Sequence, residues 1–525
     1  AASGAHGSPG GINWRTAYPT FFYVGWRSDN PMASGDDRQV ITLQTALDFL
    51  QRVAWALFWL CLPVTSFRYF PAGIGGGTLV RPLSLYPLLL LLPLATLPRL
   101  WRRPVPKTLL CLLPFVVAVL ASAAYSFLLG IEPVLGVSVS DRVLRALITL
   151  AIGLSFYLTV AILPSSSAEL RSALRWMFIG FSLAFVWGSL QTVYILHFDR
   201  SYFDLLNHLQ KAFSLRKLFP TRISGPTYEP NWFAEQINLL LIPWLLAAVL
   251  NGRSIFPWRW KNVTIEWLLF LWAVILIAFT FSRAGYVNLA VLLLMALILW
   301  RWRLFSQRGL SLFKTLGRLA LEALVVLLLF VGMAYGVGRK NDFFARIWTY
   351  WIENQDPSFE RFLYYIGFNA RLTYSATAFN TFQAYPVLGV GPGNYAFFFE
   401  KMLPDQPLAP TPELLRIISP EEGSNRLITP KNLFLRILAE NGLIGLGGFL
   451  VFLIAHLGNA LYLWLSPYKE EQFWGMAALL GLIGLMVAAF SFDSFALPNM
   501  WVLLGLITTA ASGRRRVDSE FAEAG

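Results

Sequence analysis

Three arginines at the mouths of apolar runs carry the chemistry this sequence could do. Arg222 opens TRISGPTYEPNWFAEQINLLLIPWLLAAVL (221–250), Arg283 stands in AFTFSRAGYVNL (278–289), and Arg371 begins RLTYSATAFNTFQAYPVLGVGPGNY (371–395). A guanidinium stays charged at any physiological pH, and its planar fork suits phosphate oxygens bidentately. At bilayer depth an arginine costs about 2.5–3.5 kcal/mol on insertion scales, so it is rarely idle there. Together the three fit a diphosphate at a membrane interface, where a lipid-linked diphosphate presents its head group. Tyr228, Glu229 and Asn231 crowd beside Arg222. Lys431 and Asn432 lie in TPKNLFLRILAENGLIG (429–445), and Asp493 in FSFDSFALPNMW (490–501).

Each of these features also has a plainer reading. Arg283 reads equally as a cation snorkelling from a hairpin turn, and Arg222 as the counter-charge of Glu229. GVGPGN (389–394) follows no evident strand and reads as a backbone turn more than a phosphate cradle. Pro230 and Asn231 suit a helix start. Lys431 and Asn432 suit the cap of the helix that follows, Asp493 can pair with any nearby arginine, and His456 reads as a packing residue inside an apolar span. Tyr374, Tyr385, Tyr395 and Phe397 offer faces for sugar rings or, more plainly, pack a folded loop.

The elements that must position these groups are membrane helices. The 525-residue chain is 56% hydrophobic and only 14% charged, where a soluble protein carries about 25% charged residues. Apolar runs recur at 45–66, 82–99, 108–130, 143–163, 174–196, 231–251, 264–281, 284–301, 317–337, 436–464, 473–491 and 496–512. Each approaches the roughly 20 residues needed to cross a hydrocarbon core. The fold expected is an all-α polytopic membrane protein with twelve spans. Cys61 and Cys111 both lie in apolar runs, so no disulfide framework is implied, and His6, His197, His208 and His456 lack ligand spacing. No metal and no cofactor is expected.

The net charge of +13 is placed for topology, not for nucleic acid. Arg99, Arg102, Arg103 and Lys107 separate spans two and three; Arg253, Arg259 and Lys261 separate six and seven. Arg301, Arg303, Arg308, Lys314 and Arg318 separate eight and nine, and Arg514, Arg515 and Arg516 follow the last span. With twelve spans all of these share one side, which the positive-inside rule makes cytoplasmic, with both termini. Residues 1–44 form a cytoplasmic segment without the pattern of a cleavable signal peptide, and their opening AASGAHGSPGG reads as an appended remnant with no function. Spans one to nine fill 45–337, a long outer loop 338–435 folds as a helical cap, spans ten to twelve fill 436–512, and 513–525 form a tail. The candidate groups at Arg222–Asn231, Arg283, Arg371, Lys431–Asn432 and Asp493 then all lie on the outer face.

Taken in order, RISGPTYEPNWFA (222–234), FSRAG (281–285), RLTYSATAFNTFQAYPVLGVGPGNY (371–395) and KNLFLRILAENGLIGLGGFL (431–450) resemble the O-antigen polymerase and O-antigen ligase family. The resemblance implies a glycosyltransferase with a GT-C-like membrane fold in the bacterial inner membrane, inverting and metal-independent, with its site facing the periplasm. The donor it implies is an undecaprenyl-diphosphate-linked oligosaccharide, with a glycan acceptor and, as further partners, a chain-length regulator and a flippase. Carried over residue by residue, Arg222 and Arg283 contact the diphosphate, with Arg371 a weaker third. Glu229 and Lys431 join Arg222 and Arg283 as catalytic candidates; Asn231, Tyr228, Asn432, Tyr374 and Asp493 join Arg371 as substrate-binding ones. Ligases of the family usually show His-Asn where this chain has Lys431-Asn432, and a lysine of ordinary pKa near 10.4 is a poor base. The departure favours a polymerase lengthening a surface polysaccharide (O-antigen, capsule or exopolysaccharide) over a ligase that hands finished glycan to lipid A-core. A glycolipid or anion transporter is the reading from another class; it expects charges near the bilayer midplane on broken helices.

Overall fold

The computed structural model describes residues 35–70, 79–102, 104–134, 136–308, 312–404, 415 and 428–524. AASGAHGSPGG, Arg103 and the side chains of Arg514, Arg515 and Arg516 lie outside the described residues. Two compact units are formed, Ala1–Leu47 and Asp48–Gly525. The helix Gly35–Leu60 begins in the first and continues in the second.

Among the described residues eight helices are long and apolar enough to cross a membrane: Lys107–Ser126, Val139–Ile162, Ser167–Leu196, Pro230–Asn251, Arg283–Phe305, Phe313–Gly338, Leu433–Trp464 and Lys469–Ala488. Ile265–Thr280 is shorter and apolar. The other three apolar runs are helical as well, in Gly35–Leu60, in 85–102 through a π-helical turn at Leu92–Thr96, and in Pro498–Ala524. The molecule is a helical multi-pass membrane protein. Its sheet content is one two-stranded hairpin, Arg259–Trp260 with Val263–Thr264, among the described residues.

The helix 230–251 sits at the centre, and most of its side chains are buried. It is broken at Leu241 (φ −124°, ψ −56°), two residues before Pro243, whose ring denies the preceding turn a hydrogen bond. Small residues let its neighbours approach. A Cβ on Gly285 would lie 2.5 Å from the Ala234 Cβ, so the helix Arg283–Arg308 crosses it with no side chain between. Asn238 Nδ2 donates to the Gly285 carbonyl (2.9 Å) and Asn288 Nδ2 to the Gly484 carbonyl (3.0 Å), tying three helices together.

Side-chain pairings fix which helix ends lie together. At one end Arg171 pairs with Glu470 and Arg301 with Glu322, Arg303 donates to Asn251 and Gln472, and Arg99 donates to the Leu163 carbonyl. At the other end lie the starts of the helices at Pro230, Arg283, Leu433 and Pro498. There Leu433 N donates to the Ala489 carbonyl (2.8 Å) and Asn499 Nδ2 to Glu235 Oε1 (3.4 Å). Arg99, Arg301 and Arg303 of the basic clusters therefore sit at the end opposite Arg222 and Arg283.

The segment between Gly338 and Leu433 forms helices Asp342–Glu353, Phe359–Tyr365, Asn369–Ala384 and Tyr395–Phe398. GVGPGN is a turn docked on a kink. Gly442 (φ 63°, ψ −163°) breaks the helix Leu433–Trp464, and the carbonyls freed upstream are taken by the loop: Val390 N bonds the Ala439 carbonyl (3.0 Å) and Gly391 N the Glu440 carbonyl (2.9 Å). Gly389 is left-handed (φ 66°), and a Cβ there would lie 2.5 Å from the Ala439 carbonyl oxygen. Gly442→Ala is expected to lower the melting temperature in detergent, because a positive-φ, extended-ψ backbone open essentially only to glycine costs about 1–3 kcal/mol and the added Cβ overlaps the Val387 carbonyl. Gly447→Ala on the same helix, where a Cβ meets nothing within 4 Å, should be neutral or stabilising by up to about 1 kcal/mol. Matching melting curves for the two variants would count against a kink held by the loop.

Candidate functional site

Two turns build the site. In the first, the RISGPT strap is held from below by Gln191, whose Oε1 accepts from Ser224 N and Gly225 N (both 3.0 Å). Ile223 N donates to the Phe279 carbonyl (3.1 Å) and Asn341 Nδ2 to the Thr221 carbonyl (2.8 Å). These bonds leave one orientation for Arg222. Its Nε donates to the Thr280 carbonyl (2.9 Å) and its Nη2 to Asn231 Oδ1 (2.9 Å).

The second turn joins Ile265–Thr280 to Arg283–Arg308. Phe281 takes a left-handed conformation (φ 47°) although it is not glycine, and its ring is fully buried against Phe344 (5.9 Å). A non-glycine residue pays for such a conformation with packing elsewhere. The turn ends the first helix with the Thr280 carbonyl turned to Arg222 and starts the next with Ser282 Oγ accepting from Gly285 N (3.1 Å). Arg283 stands at the first position of the new helix, beside the strap.

Arg283 reaches into the loop after Gly338. Its Nη1 donates to the Ile366 carbonyl and its Nη2 to the Phe343 carbonyl (both 2.5 Å), while Nε is buried without a partner. The guanidinium lies 4.2 Å from the centroid of the Phe343 ring, and Arg222 faces the same ring at 5.8 Å. Among the described residues no carboxylate is ion-paired with either arginine. Glu229 acts on Arg222 through space, and burial, the larger effect, pushes the Arg222 guanidinium down to about 10. It remains a cation at neutral pH.

The other sequence candidates form a second group. Lys431 is left-handed (φ 52°), with its N donating to Asp493 Oδ2 (2.7 Å) and its Nζ 5.1 Å from the Tyr374 ring centroid. Arg436, which the sequence reading passed over, donates to the Asp493 carbonyl (2.6 Å) and to Glu440 Oε2 (3.1 Å). Asn432 caps the helix that follows, its Oδ1 accepting from Leu435 N (3.1 Å). This group and the arginine pair lie at the same end of the bundle, without a direct bond between them among the described residues.

Several expectations change. Arg371 does not share the Phe343 ring with Arg222 and Arg283; Arg346, one turn into the helix Asp342–Glu353, does (6.0 Å). Tyr374 is fully buried, with its carbonyl accepting from the Tyr395 hydroxyl (2.9 Å), so it offers no face to a sugar. Tyr228 is 6% exposed, stacks near Trp232 (5.7 Å) and accepts from Arg216 Nη1 (3.4 Å), so it too is engaged. Arg222 takes Asn231, not Glu229, as its hydrogen-bond partner. His456 is a packing residue as read, with Nδ1 against the Phe452 carbonyl (2.8 Å) and Nε2 against Thr508 Oγ1 (3.0 Å).

Sequence reading missed Phe343, Arg346 and Glu235. Glu235 is 6% exposed on the central helix, one turn below Asn231, with Asn499 as its partner. Its signal was a charge inside an apolar run. Phe343 and Arg346 carried no such signal, since the cap is rich in both residue types.

Comparison with known proteins bears on the second half of this site. No curated protein matches the chain. Residues 268–450 match the family model for O-antigen ligase; the match takes in Arg283, the loop after Gly338, Arg371 and Lys431, and leaves out Arg222 and Asp493. Over this stretch, about a third of its length, the chain is similar to the O-antigen ligase family.

Proposed function

We propose that this protein is a membrane glycosyltransferase that lengthens a surface polysaccharide from undecaprenyl-diphosphate-linked repeat units. The observation that carries the reading is the convergence of Arg222 and Arg283 on one half-exposed ring, without an ion-paired carboxylate, at the end opposite the basic clusters. By the positive-inside rule that end faces the periplasm of the bacterial inner membrane.

In the reaction, a hydroxyl at the non-reducing end of the acceptor glycan attacks the anomeric carbon of the donor from the side opposite the diphosphate. The bond from carbon to phosphate oxygen breaks and its electron pair leaves with the lipid diphosphate. Charge grows on that oxygen, so catalysis needs cations fixed in advance, which Arg222 and Arg283 supply. The acceptor proton goes to a carboxylate. Glu229 suits this role because its carboxylate accepts no hydrogen bond among the described residues. Asp493 is already occupied by the Lys431 N–H, and Lys431 serves as a cation beside the acceptor. A ligase remains the second reading, favoured by the description of the matched family; it differs only in the acceptor.

Purified protein given the lipid-linked repeat unit is expected to make a ladder of longer lipid-linked glycans. Arg283→Ala should cut the rate by about 10²–10³, the usual cost of removing one such charge stabiliser. Transfer only after lipid A-core is added would make the protein a ligase, and silence with both acceptors would favour transport. A second prediction concerns pH. Binding of undecaprenyl diphosphate should be flat across neutral pH, because Arg222 keeps its charge there although burial pushes it down to about 10. Arg222→Gln should bind less tightly at neutral pH; binding equal to that of wild type would take Arg222 out of the site.

A further inference from the structure

The helix Asp342–Glu353 begins beside Arg283, with Asn341 as its cap: Asn341 Oδ1 accepts from Phe344 N (3.0 Å), and its amide holds the strap at Thr221 (2.8 Å). One residue thus fixes the helix start to the strap that carries Arg222. Phe343, 43% exposed, projects where the arginines meet. Three guanidiniums face its ring, Arg283 at 4.2 Å, Arg222 at 5.8 Å and Arg346 at 6.0 Å. Arg346 also lies over Tyr365 (5.6 Å).

Like charges gathered this closely need an opposing charge or a polarisable face. Among the described residues none of the three arginines is ion-paired, and Asp342 in the same helical turn makes no ion pair with them. An aromatic face attracts a cation by about 0.5–1 kcal/mol at exposed sites, much less than a desolvated counter-ion. The ring therefore orients the guanidiniums without satisfying them. The buried, unpartnered Nε of Arg283 is a further donor left open. Three arginines less the influence of Glu229 leave a net charge near that of a diphosphate diester, and the half-exposed ring leaves a way in.

We propose that Arg346 and Phe343 complete the donor site, Arg346 as a third phosphate-binding cation and Phe343 as the platform that aims all three. The inference rests on the functional reading above and adds to it that the diphosphate bridges the membrane helices and the segment after Gly338. The bound anion replaces the Ile366 and Phe343 carbonyls on Arg283, so it also draws that segment's contacts onto itself.

The test compares wild type, Arg283→Ala, Arg346→Ala, Arg346→Lys and Phe343→Leu, using inorganic pyrophosphate and undecaprenyl diphosphate as binding probes and the donor as substrate. Arg346 is exposed, so its variants should fold, and melting curves check this. Arg346→Ala is expected to weaken both probes and raise the donor KM about tenfold, on the scale of one charge-assisted contact, with kcat within about twofold. Arg346→Lys should recover part of the loss, since the charge remains and the fork does not. Phe343→Leu should weaken binding with kcat also lowered, because it disturbs Arg283. If Arg346→Ala binds both probes as wild type does while Arg283→Ala fails, the third cation is refuted and the functional reading stands. If wild type itself binds neither probe and turns over no donor, both fall.

Discussion

The site depends on one turn. Between Thr280 and Arg283 the chain reverses through a left-handed phenylalanine, and that reversal does two things at once. It frees the Thr280 carbonyl to hold Arg222 Nε (2.9 Å), and it starts the next helix with Arg283 beside the strap. Because a non-glycine residue resists this conformation, the turn must be held from outside. Phe344 and Tyr286 pack with their rings tilted (4.7 Å between centroids), and Phe344 covers Phe281 (5.9 Å). Phe344 belongs to the helix that also carries Phe343 and Arg346. The same few residues therefore hold the turn and supply the ring that two membrane-end arginines face.

Close approach of two helices makes the arrangement possible. Arg222 precedes the central helix and Arg283 begins its neighbour, so their separation is set by how nearly those helices cross. Gly285 against Ala234 removes the side chains that would hold them apart, and Asn238 fixes the rotation by bonding the Gly285 carbonyl (2.9 Å). In a membrane, where lipid tails compete for apolar contact, such small-residue crossings with an interhelical hydrogen bond are the available means of association. A side chain at position 285 would separate the two cations and leave each to its own loop.

What could be read from the sequence follows from what local pattern dictates. Apolar run length fixed the helices, because hydrocarbon demands backbone bonds made within each segment. Proline at 230 and asparagine at 432 announced helix starts, and the glycines of GVGPGN announced a turn. The partner of that turn was hidden: the kink at Gly442 is a single glycine in AENGLIG, and only the docked loop explains it. The choice between Arg371 and Arg346 was hidden as well. Both lie in aromatic-containing helices of the segment after Gly338, and which of them meets Arg283 is decided by how those helices dock, a tertiary fact with no local signature. Tyr374 and Tyr228 misled because tyrosine suits a sugar and a packed interior equally well, until burial decides.

The two polar groups at this end of the bundle differ in how far they are satisfied, and that difference bears on their roles. Around Lys431 opposite charges are paired: the Arg436 guanidinium bonds Glu440 Oε2 (3.1 Å), and the Asp493 carboxylate accepts from the Lys431 backbone N–H (2.7 Å), although Glu440 Oε1 is buried without a partner. Such a set is a frame, able to hold the start of the helix at Leu433 and the loop docked on its kink in register. Around Phe343 the balance is different. Three cations meet one ring, three backbone carbonyls and the Asn231 amide oxygen but no carboxylate in an ion pair among the described residues, and the Arg283 Nε has no acceptor. A frame gains nothing from unsatisfied charge, whereas a site for an anion requires it, because a fixed carboxylate in that place would compete with the ligand for every donor. The group whose positive charge is uncompensated is therefore the one to which substrate chemistry belongs, and the group with an ion pair of its own is the one that holds it in place.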